Sequence, residues 1–158
     1  MTINIILVGK TKEKAISSLE SSYSERLKPY IKINTICIKE ETIQKGDFNA
    51  QKEIVIKKEG DKIIEKIPKN SFTVALDQRG KQYTSEDFSY LLADLEQKTG
   101  DITFIIGGCY GLSEKVRKRA KFLLSFSKMT LTHELIRPLL LEQIYRGYSL
   151  IKGKKYHY

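Results

Sequence analysis

The chain has 158 residues, of which 41% are hydrophobic and 30% charged, as in an ordinary soluble globular domain. No apolar run reaches the roughly 20 residues of a membrane-spanning helix, and the N-terminal MTINIILVGKTKEK lacks the features of a signal peptide. We therefore expect one cytoplasmic domain over residues 1–158. Two histidines and two cysteines without a CxxC pair argue against a metal site, and Cys37 is predicted to be inert packing within a strand.

Apolar spacing predicts strands and helices in alternation along the chain. The predicted strands are 3–8, 31–38, SFTVALD (71–77) and 102–106, and the predicted helices are 15–27, 50–67, 84–99, a helix after Ser113 and the segment ELIRPLLLEQIYRGYSLIKG. This alternation predicts an α/β fold with a mostly parallel sheet flanked by helices. Ligands in such folds bind at the carboxyl ends of the strands.

Several local features refine this prediction. The second helix is predicted to bury Ala50, Ile54, Ile64 and Ile67. QRGK (78–81) is predicted to be a turn, and SFSKMTLTH (125–133) a loop followed by a strand. Thr84 and Ser113 are predicted helix caps, and Pro138 requires the last helix to begin near Arg137 or to kink.

The net charge of +9 is concentrated near the C-terminus. The last 47 residues carry 11 basic and 3 acidic side chains, and no acid lies between Glu114 and Glu134. A one-sided basic surface indicates a polyanionic partner, although a solubilising helix face has the same composition. The candidate RNA-binding residues are Lys115, Arg117, Lys118 and Arg119.

The segment FIIGGCYGL (104–112) predicts a strand that enters a glycine bend before a helix. It offers GGxxG rather than GxGxxG, with no acid about 20 residues further on, and the chain has no Walker loop. A dinucleotide site is therefore disfavoured. A cofactor wall and a tight turn both remain compatible with the segment.

Six segments in order are similar to one known family. ILVGK, VALDQRGK, FIIGGCYGL, LSFSKMTLTH, LLLEQIYRGYSLIKG and the terminal YHY together resemble the RlmH family of large-subunit ribosomal RNA methyltransferases, a branch of the SPOUT (trefoil-knot) class. The resemblance implies a deep C-terminal trefoil knot, a homodimer and S-adenosylmethionine bound in the knot. It also implies methylation of N3 of a pseudouridine in 23S rRNA of the assembled ribosome, without a metal.

The resemblance carries over to individual positions. The implied cofactor residues are Leu76, Gly107, Phe126, Ser127, Lys128, Met129, Thr130 and Leu131. The candidates for handling the N3 proton are His133, Arg137, Tyr156 and His157, although Arg137 could instead bind a phosphate or pair with Glu134 or Glu142. Tyr110 and Tyr148 offer stacking faces to nucleobases, but packing is the favoured interpretation for each.

The sequence departs from the family pattern at Thr132, where proline is common, at Pro138, where an aliphatic residue is usual, and at Cys109 and Tyr158. Two other classes of function are compatible with the same residues. One is a non-catalytic RNA-binding protein that uses the basic C-terminal surface, and the other is a nucleotide-binding α/β protein. Stoichiometric binding of S-adenosylmethionine would distinguish the methyltransferase from the non-catalytic RNA-binding protein.

Overall fold

A five-stranded parallel sheet lies between two layers of helices in the computed structural model, which describes residues 1–153. The strands are β1 (Thr2–Val8), β2 (Lys32–Ile38), β3 (Ser71–Lys81), β4 (Asp101–Ile106) and β5 (Phe122–Leu124), in the order β2-β1-β4-β3-β5. The helices are α1 (Lys14–Leu27), α2 (Phe48–Lys66), α3 (Ser85–Lys98), α4 (Glu114–Arg119) and α5 (Ile136–Ile151). The predicted α/β class and parallel sheet are confirmed.

The central strands are apolar on both faces, as expected of a sheet covered by helices on each side. Ile3, Ile5 and Leu7 of β1 face the layer of α1, α3 and α5, while Ile6 and Val8 face α2 and α4. Within residues 1–153 no helix is long and apolar enough to cross a membrane.

The predicted caps are confirmed. The Thr84 hydroxyl accepts from the Asp87 N–H at 3.1 Å, and the Ser113 hydroxyl accepts from the Val116 N–H at 3.2 Å. Each hydroxyl satisfies a backbone donor that the first turn of its helix leaves unpaired. Pro138 is the third residue of α5, where its missing N–H costs no helical hydrogen bond, so the helix begins near Arg137 as predicted.

The predicted buried face of α2 is wrong in its first half and confirmed at its C-terminal end. Ala50 is exposed and Ile54 is 44% exposed, whereas Ile64 is partly buried and Ile67 belongs to the core. Within the helix, the buried residues are Val55, Glu59, Gly60 and Ile63. Hydropathy does not reveal the core-facing side of α2, because that side includes the charged Glu59 and the glycine Gly60.

Three further predictions are corrected. QRGK belongs to β3, because Gly80 lets the strand continue against β5, where a Cβ would come within 2.5 Å of the Leu123 carbonyl. The last strand is the short β5, and 125–133 contains no strand. Cys37 is exposed rather than packed, because β2 is an edge strand with only Ile38 buried.

Candidate functional site

A cavity of about 700 Å³ opens where the carboxyl ends of β3, β4 and β5 meet. Its walls come from Leu76–Arg79 of β3, the bend over 106–112 and the loop over 124–133. One side chain each from α2, α4 and α5 completes them. This is the crevice where parallel α/β sheets bind their ligands. Segments far apart in the sequence therefore build one concave surface.

Most of the implied cofactor residues lie together on this surface. The cavity is lined by Leu76, Gly107, Phe126, Ser127, Met129, Thr130 and Leu131. Lys128 is exposed and does not line it. The resemblance thus selected residues that the fold brings to one place, although their role in binding stays a prediction.

The glycine pair turns the chain back on itself beside the cavity. A Cβ on Gly107 would come within 2.9 Å of the Gly111 backbone, and the Gly111 N–H donates to the Gly108 carbonyl at 3.0 Å. Gly111 has a φ of 84°, which favours glycine. The bend therefore needs its glycines for its own close packing, whether or not a ligand lies against it.

A buried carboxyl supports this bend from behind. Glu59 is 3% exposed, and a Cβ on Gly108 would meet its Oε2 at 2.7 Å. Its Oε1 accepts from the Glu41 N–H at 2.9 Å, whereas Oε2 has no hydrogen-bond partner among residues 1–153. Burial raises the pKa of Glu59, as do the negative charges of Glu41 and Glu40, against the lowering effects of the Glu41 N–H and of Lys62.

The loop over 125–131 is held in shape by its own hydroxyls. The Ser125 hydroxyl donates to the Ser127 carbonyl at 2.9 Å, and the Ser127 hydroxyl accepts from the Met129 N–H at 2.9 Å. The Thr130 hydroxyl donates to the Gln78 side chain at 2.9 Å and so ties the loop to β3. Met129 is 78% exposed, which leaves an apolar side chain at the opening.

Three charged side chains form the rim at the end of β3. Asp77 Oδ1 accepts from Arg79 Nε at 2.9 Å and Oδ2 accepts from Arg79 Nη2 at 3.0 Å, and Arg117 Nη1 lies 3.7 Å from the same Oδ2. Burial alone would raise the pKa of Asp77, but the hydrogen bonds from Arg79 and the charges of Arg79 and Arg117 lower it. Asp77 is therefore ionised and fixes both guanidinium groups beside the cavity.

His133 lines the opposite wall. Burial lowers the pKa of its imidazole, and the positive charge of Arg137 lowers it further. The side chain is consequently neutral at pH 7 and can accept a proton. Thr132, at the position of the common proline, accepts from the Leu135 N–H at 3.2 Å and so begins the turn that leads into α5.

Arg137 does not line the cavity. It is 2% exposed and donates to the Val8 carbonyl at 2.7 Å, the Thr11 hydroxyl at 2.9 Å and the His133 carbonyl at 3.1 Å. The Thr11 hydroxyl in turn donates to the Glu20 carboxylate at 2.8 Å. Among residues 1–153, Arg137 makes neither of the ion pairs considered from sequence, and Glu142 pairs with Arg146. Arg137 instead joins the end of β1 to the backbone of His133.

The four predicted RNA-binding side chains do not form one face. Arg117 turns into the cavity and pairs with Glu114 at 2.9 Å, while Lys115 pairs with Asp61 at 2.7 Å. Lys118 lies 3.6 Å from Glu114, and Arg119 is exposed with no ion pair in the described chain. These exposed pairs are weak, so Lys115, Lys118 and Arg119 stay available to a polyanion.

Sequence reasoning missed Lys52, which reaches the cavity from α2 and had no local motif to mark it. Tyr156 and His157 lie outside the described residues. Across 1–153, no three side chains of His, Cys, Asp or Glu gather as metal ligands. Tyr148 is 1% exposed and packs in the core, whereas Tyr110 lines the cavity.

Comparison with known proteins adds independent evidence. The family model described as predicted SPOUT methyltransferase matches residues 1–157. The chain is 46% identical over 158 residues to ribosomal RNA large subunit methyltransferase H of Halothermothrix orenii, and 48% identical over 161 residues to the protein of that name from Clostridium tetani, with 99% of each chain covered in both cases.

The fold has a solved counterpart. A probable methylase family protein from Haemophilus influenzae Rd KW20 matches with a TM-score of 0.54 at 11% identity, over 99% of this chain and 70% of that one. This likeness supports the fold alone. Because the family model and the curated relatives match nearly the whole chain, the chain belongs to the SPOUT methyltransferase family, within its branch of ribosomal RNA large subunit methyltransferase H proteins.

Proposed function

We propose that this protein transfers the methyl group of S-adenosylmethionine to N3 of a pseudouridine in 23S rRNA of the assembled ribosome. The observation that carries the proposal is the cavity itself, where residues from three distant segments line about 700 Å³ at the carboxyl ends of the strands. The curated relatives, which are named ribosomal RNA large subunit methyltransferase H, support the reaction class and the RNA substrate.

The residues present fit S-adenosylmethionine. The cavity volume lies within the range of sites for molecules of that size, and its walls combine apolar side chains with exposed backbone. Leu76 and Leu131 supply apolar walls, and the glycine bend brings backbone to the cavity surface. When bound, the cofactor supplies an activated methyl group for in-line attack by a nitrogen, so the protein contributes mainly positioning.

His133 is the proposed acceptor of the N3 proton. Its imidazole is neutral and lines the cavity, and Arg137 holds its backbone through the carbonyl oxygen. The rate should fall on the acidic side with an apparent pKa below the ordinary 6.5 of histidine, and His133→Asn should remove that limb. An unchanged pH profile in the variant would assign the proton to another group, with Tyr156 and His157 of the tail as the proposed candidates.

The proposal includes the assembly. The protein acts in the cytoplasm as a homodimer of single-domain subunits, each with a knotted C-terminal part. The reason for the dimer is that a second copy adds basic surface to a small chain that must bind a ribosome. Sedimentation at micromolar concentration should give twice the chain mass of 18.2 kDa. A monomer alone would contradict the dimer.

Two measurements test the enzyme. Calorimetry with S-adenosylhomocysteine, the demethylated product, should show one site per chain, and labelled methyl groups should pass to ribosomes that lack the modification but not to free nucleoside. Leu76→Arg should abolish product binding, because it places a charged side chain in the cavity wall. Leu19→Arg, on an exposed position of α1, is the matched control.

Absence of product binding at high micromolar protein would reject the enzyme. Salt-sensitive RNA binding without any product binding would instead support the non-catalytic RNA-binding protein.

A further inference from the structure

The core-facing stripe of α2 runs on beyond the sheet. Val55, Glu59 and Ile63 are buried at spacings of four residues, which place them on one side of the helix. The same side continues toward the N-terminus through Lys52 and then Phe48, one turn earlier. Phe48 is nevertheless 57% exposed, so an aromatic residue on the inward face of a helix has no covering layer.

Phe48 instead meets the cavity wall. Its ring lies edge-on to that of Tyr110, with ring centroids 6.2 Å apart and an interplanar angle of 79°. Tyr110 lines the cavity immediately after the glycine bend, and Lys52 lines it from α2. Lys52 makes no ion pair within residues 1–153. Two aromatic rings and an unpaired ammonium group therefore lie together at one side of the opening.

This combination suits one class of ligand. Exposed aromatic faces stack on unpaired nucleobases, and a nearby ammonium group neutralises the connecting phosphate. Core packing does not explain a phenylalanine more than half exposed. A cation would be repelled by Lys52, whereas a polyanion complements both Lys52 and the chain's net charge of +9.

We propose that Phe48, Tyr110 and Lys52 form a stacking subsite for an unpaired nucleobase of the RNA substrate, a neighbour of the nucleotide that enters the cavity. This inference rests on the proposed function, since it assigns a second contact for the same RNA. The side chains of the subsite come from α2 and the glycine bend rather than from α4, and its two rings add base stacking to the positive charge of the α4 residues.

Kinetics on ribosomes lacking the modification test the subsite. Stacking on one aromatic side chain is commonly worth about five- to a hundredfold in affinity, so Phe48→Ala should lower kcat/KM for ribosomes by about tenfold. Phe48→Trp should keep kcat/KM close to the wild-type value. Lys52→Gln should weaken ribosome binding and reduce the salt dependence of that binding. Tyr90→Ala, which removes a 71% exposed ring from α3, is the matched control and should leave kcat/KM unchanged. Affinity for S-adenosylhomocysteine should be unchanged in Phe48→Ala.

The absence of tryptophan from the chain allows a direct optical test. The Phe48→Trp variant has one indole, whose emission should be quenched by a single-stranded RNA oligonucleotide but not by an abasic oligomer of equal charge. Equal quenching by both oligomers, or wild-type kcat/KM in Phe48→Ala, would overturn the subsite while wild-type methylation still supports the enzyme. If the wild-type protein bound product but methylated no ribosomes, the proposed substrate would fail instead, whatever the fluorescence.

Discussion

Replacement of Arg137 by methionine separates a structural role from a catalytic one. The change preserves most of the apolar length of the side chain but removes its three hydrogen bonds. The Thr11 hydroxyl can turn toward Glu20 alone, whereas the Val8 carbonyl loses a partner in a buried place and the His133 carbonyl in a partly buried one. The end of β1 and the turn before α5 would then no longer be held together.

The expected loss is about 3 kcal/mol of unfolding free energy. Each buried acceptor left without a donor costs about 1–3 kcal/mol, and the partly buried His133 carbonyl falls at the low end of this range, which gives roughly 2–4 kcal/mol for the two carbonyls. Removal of a buried charge offsets part of this cost. The offset is limited here because Glu20 already balances the guanidinium through Thr11, so the unpaired carbonyls dominate.

Urea unfolding measures this difference. With a slope of about 2 kcal/mol/M, the midpoint should fall by about 1.5 M at a fixed protein concentration. Arg119→Met is the matched control because Arg119 is exposed, and its midpoint should shift by less than about 0.3 M. A wild-type midpoint in Arg137→Met would refute the structural reasoning. Loss of methylation in a variant that is as stable as wild type would return Arg137 to the catalytic group.

Three other outcomes are expected. Gly107→Ala should lose about 1–3 kcal/mol of stability and weaken product binding, because backbone occupies the space of the new Cβ, whereas Gly100→Ala has open space and should be neutral in urea unfolding and calorimetry. Glu59→Gln should gain stability over wild type as pH rises from 5 to 8, because a carboxyl whose pKa is raised by folding loses its stabilising proton as pH rises; parallel curves of midpoint against pH would contradict this. Changing Lys118 and Arg119 to Gln should weaken ribosome binding and lower its salt slope by about two, without altering calorimetric product affinity; an equal loss of product affinity would mean that α4 is structural.

The fold was predictable where local signals agreed. Thr84 and Ser113 cap their helices, and the apolar runs of β1 and β4 form the centre of the sheet. The burial of Gly60 in α2 was not predictable, because the residue that packs against it lies outside the helix. Gly60 is buried in α2 since Ser113 packs directly against it, and no periodicity within α2 reveals that contact.

The candidate site was predictable in its residue types rather than in its geometry. The resemblance selected positions that line one cavity, but the role of Arg137 depends on Val8 and Thr11, which lie 129 and 126 residues away in the sequence. Lys52 was not predicted either, because its place at the cavity depends on segments that are distant in the sequence. Long-range contacts decide which charges turn inward and which stay at the surface. The predicted trefoil knot remains a prediction, since it rests on the resemblance.

β1 precedes the other four strands in the sequence, and β4, one of its two neighbours in the sheet, follows much later. Thr2 pairs with Lys32 on one side and, on the other, with Asp101, which follows 99 residues later. During translation, a strongly apolar strand therefore keeps one hydrogen-bonding edge open until β4 emerges, and open edges of this kind recruit other chains. The cavity also needs Ile136, which follows all five strands in the sequence, so it can be completed only after β4 has been made and can cover the open edge of β1.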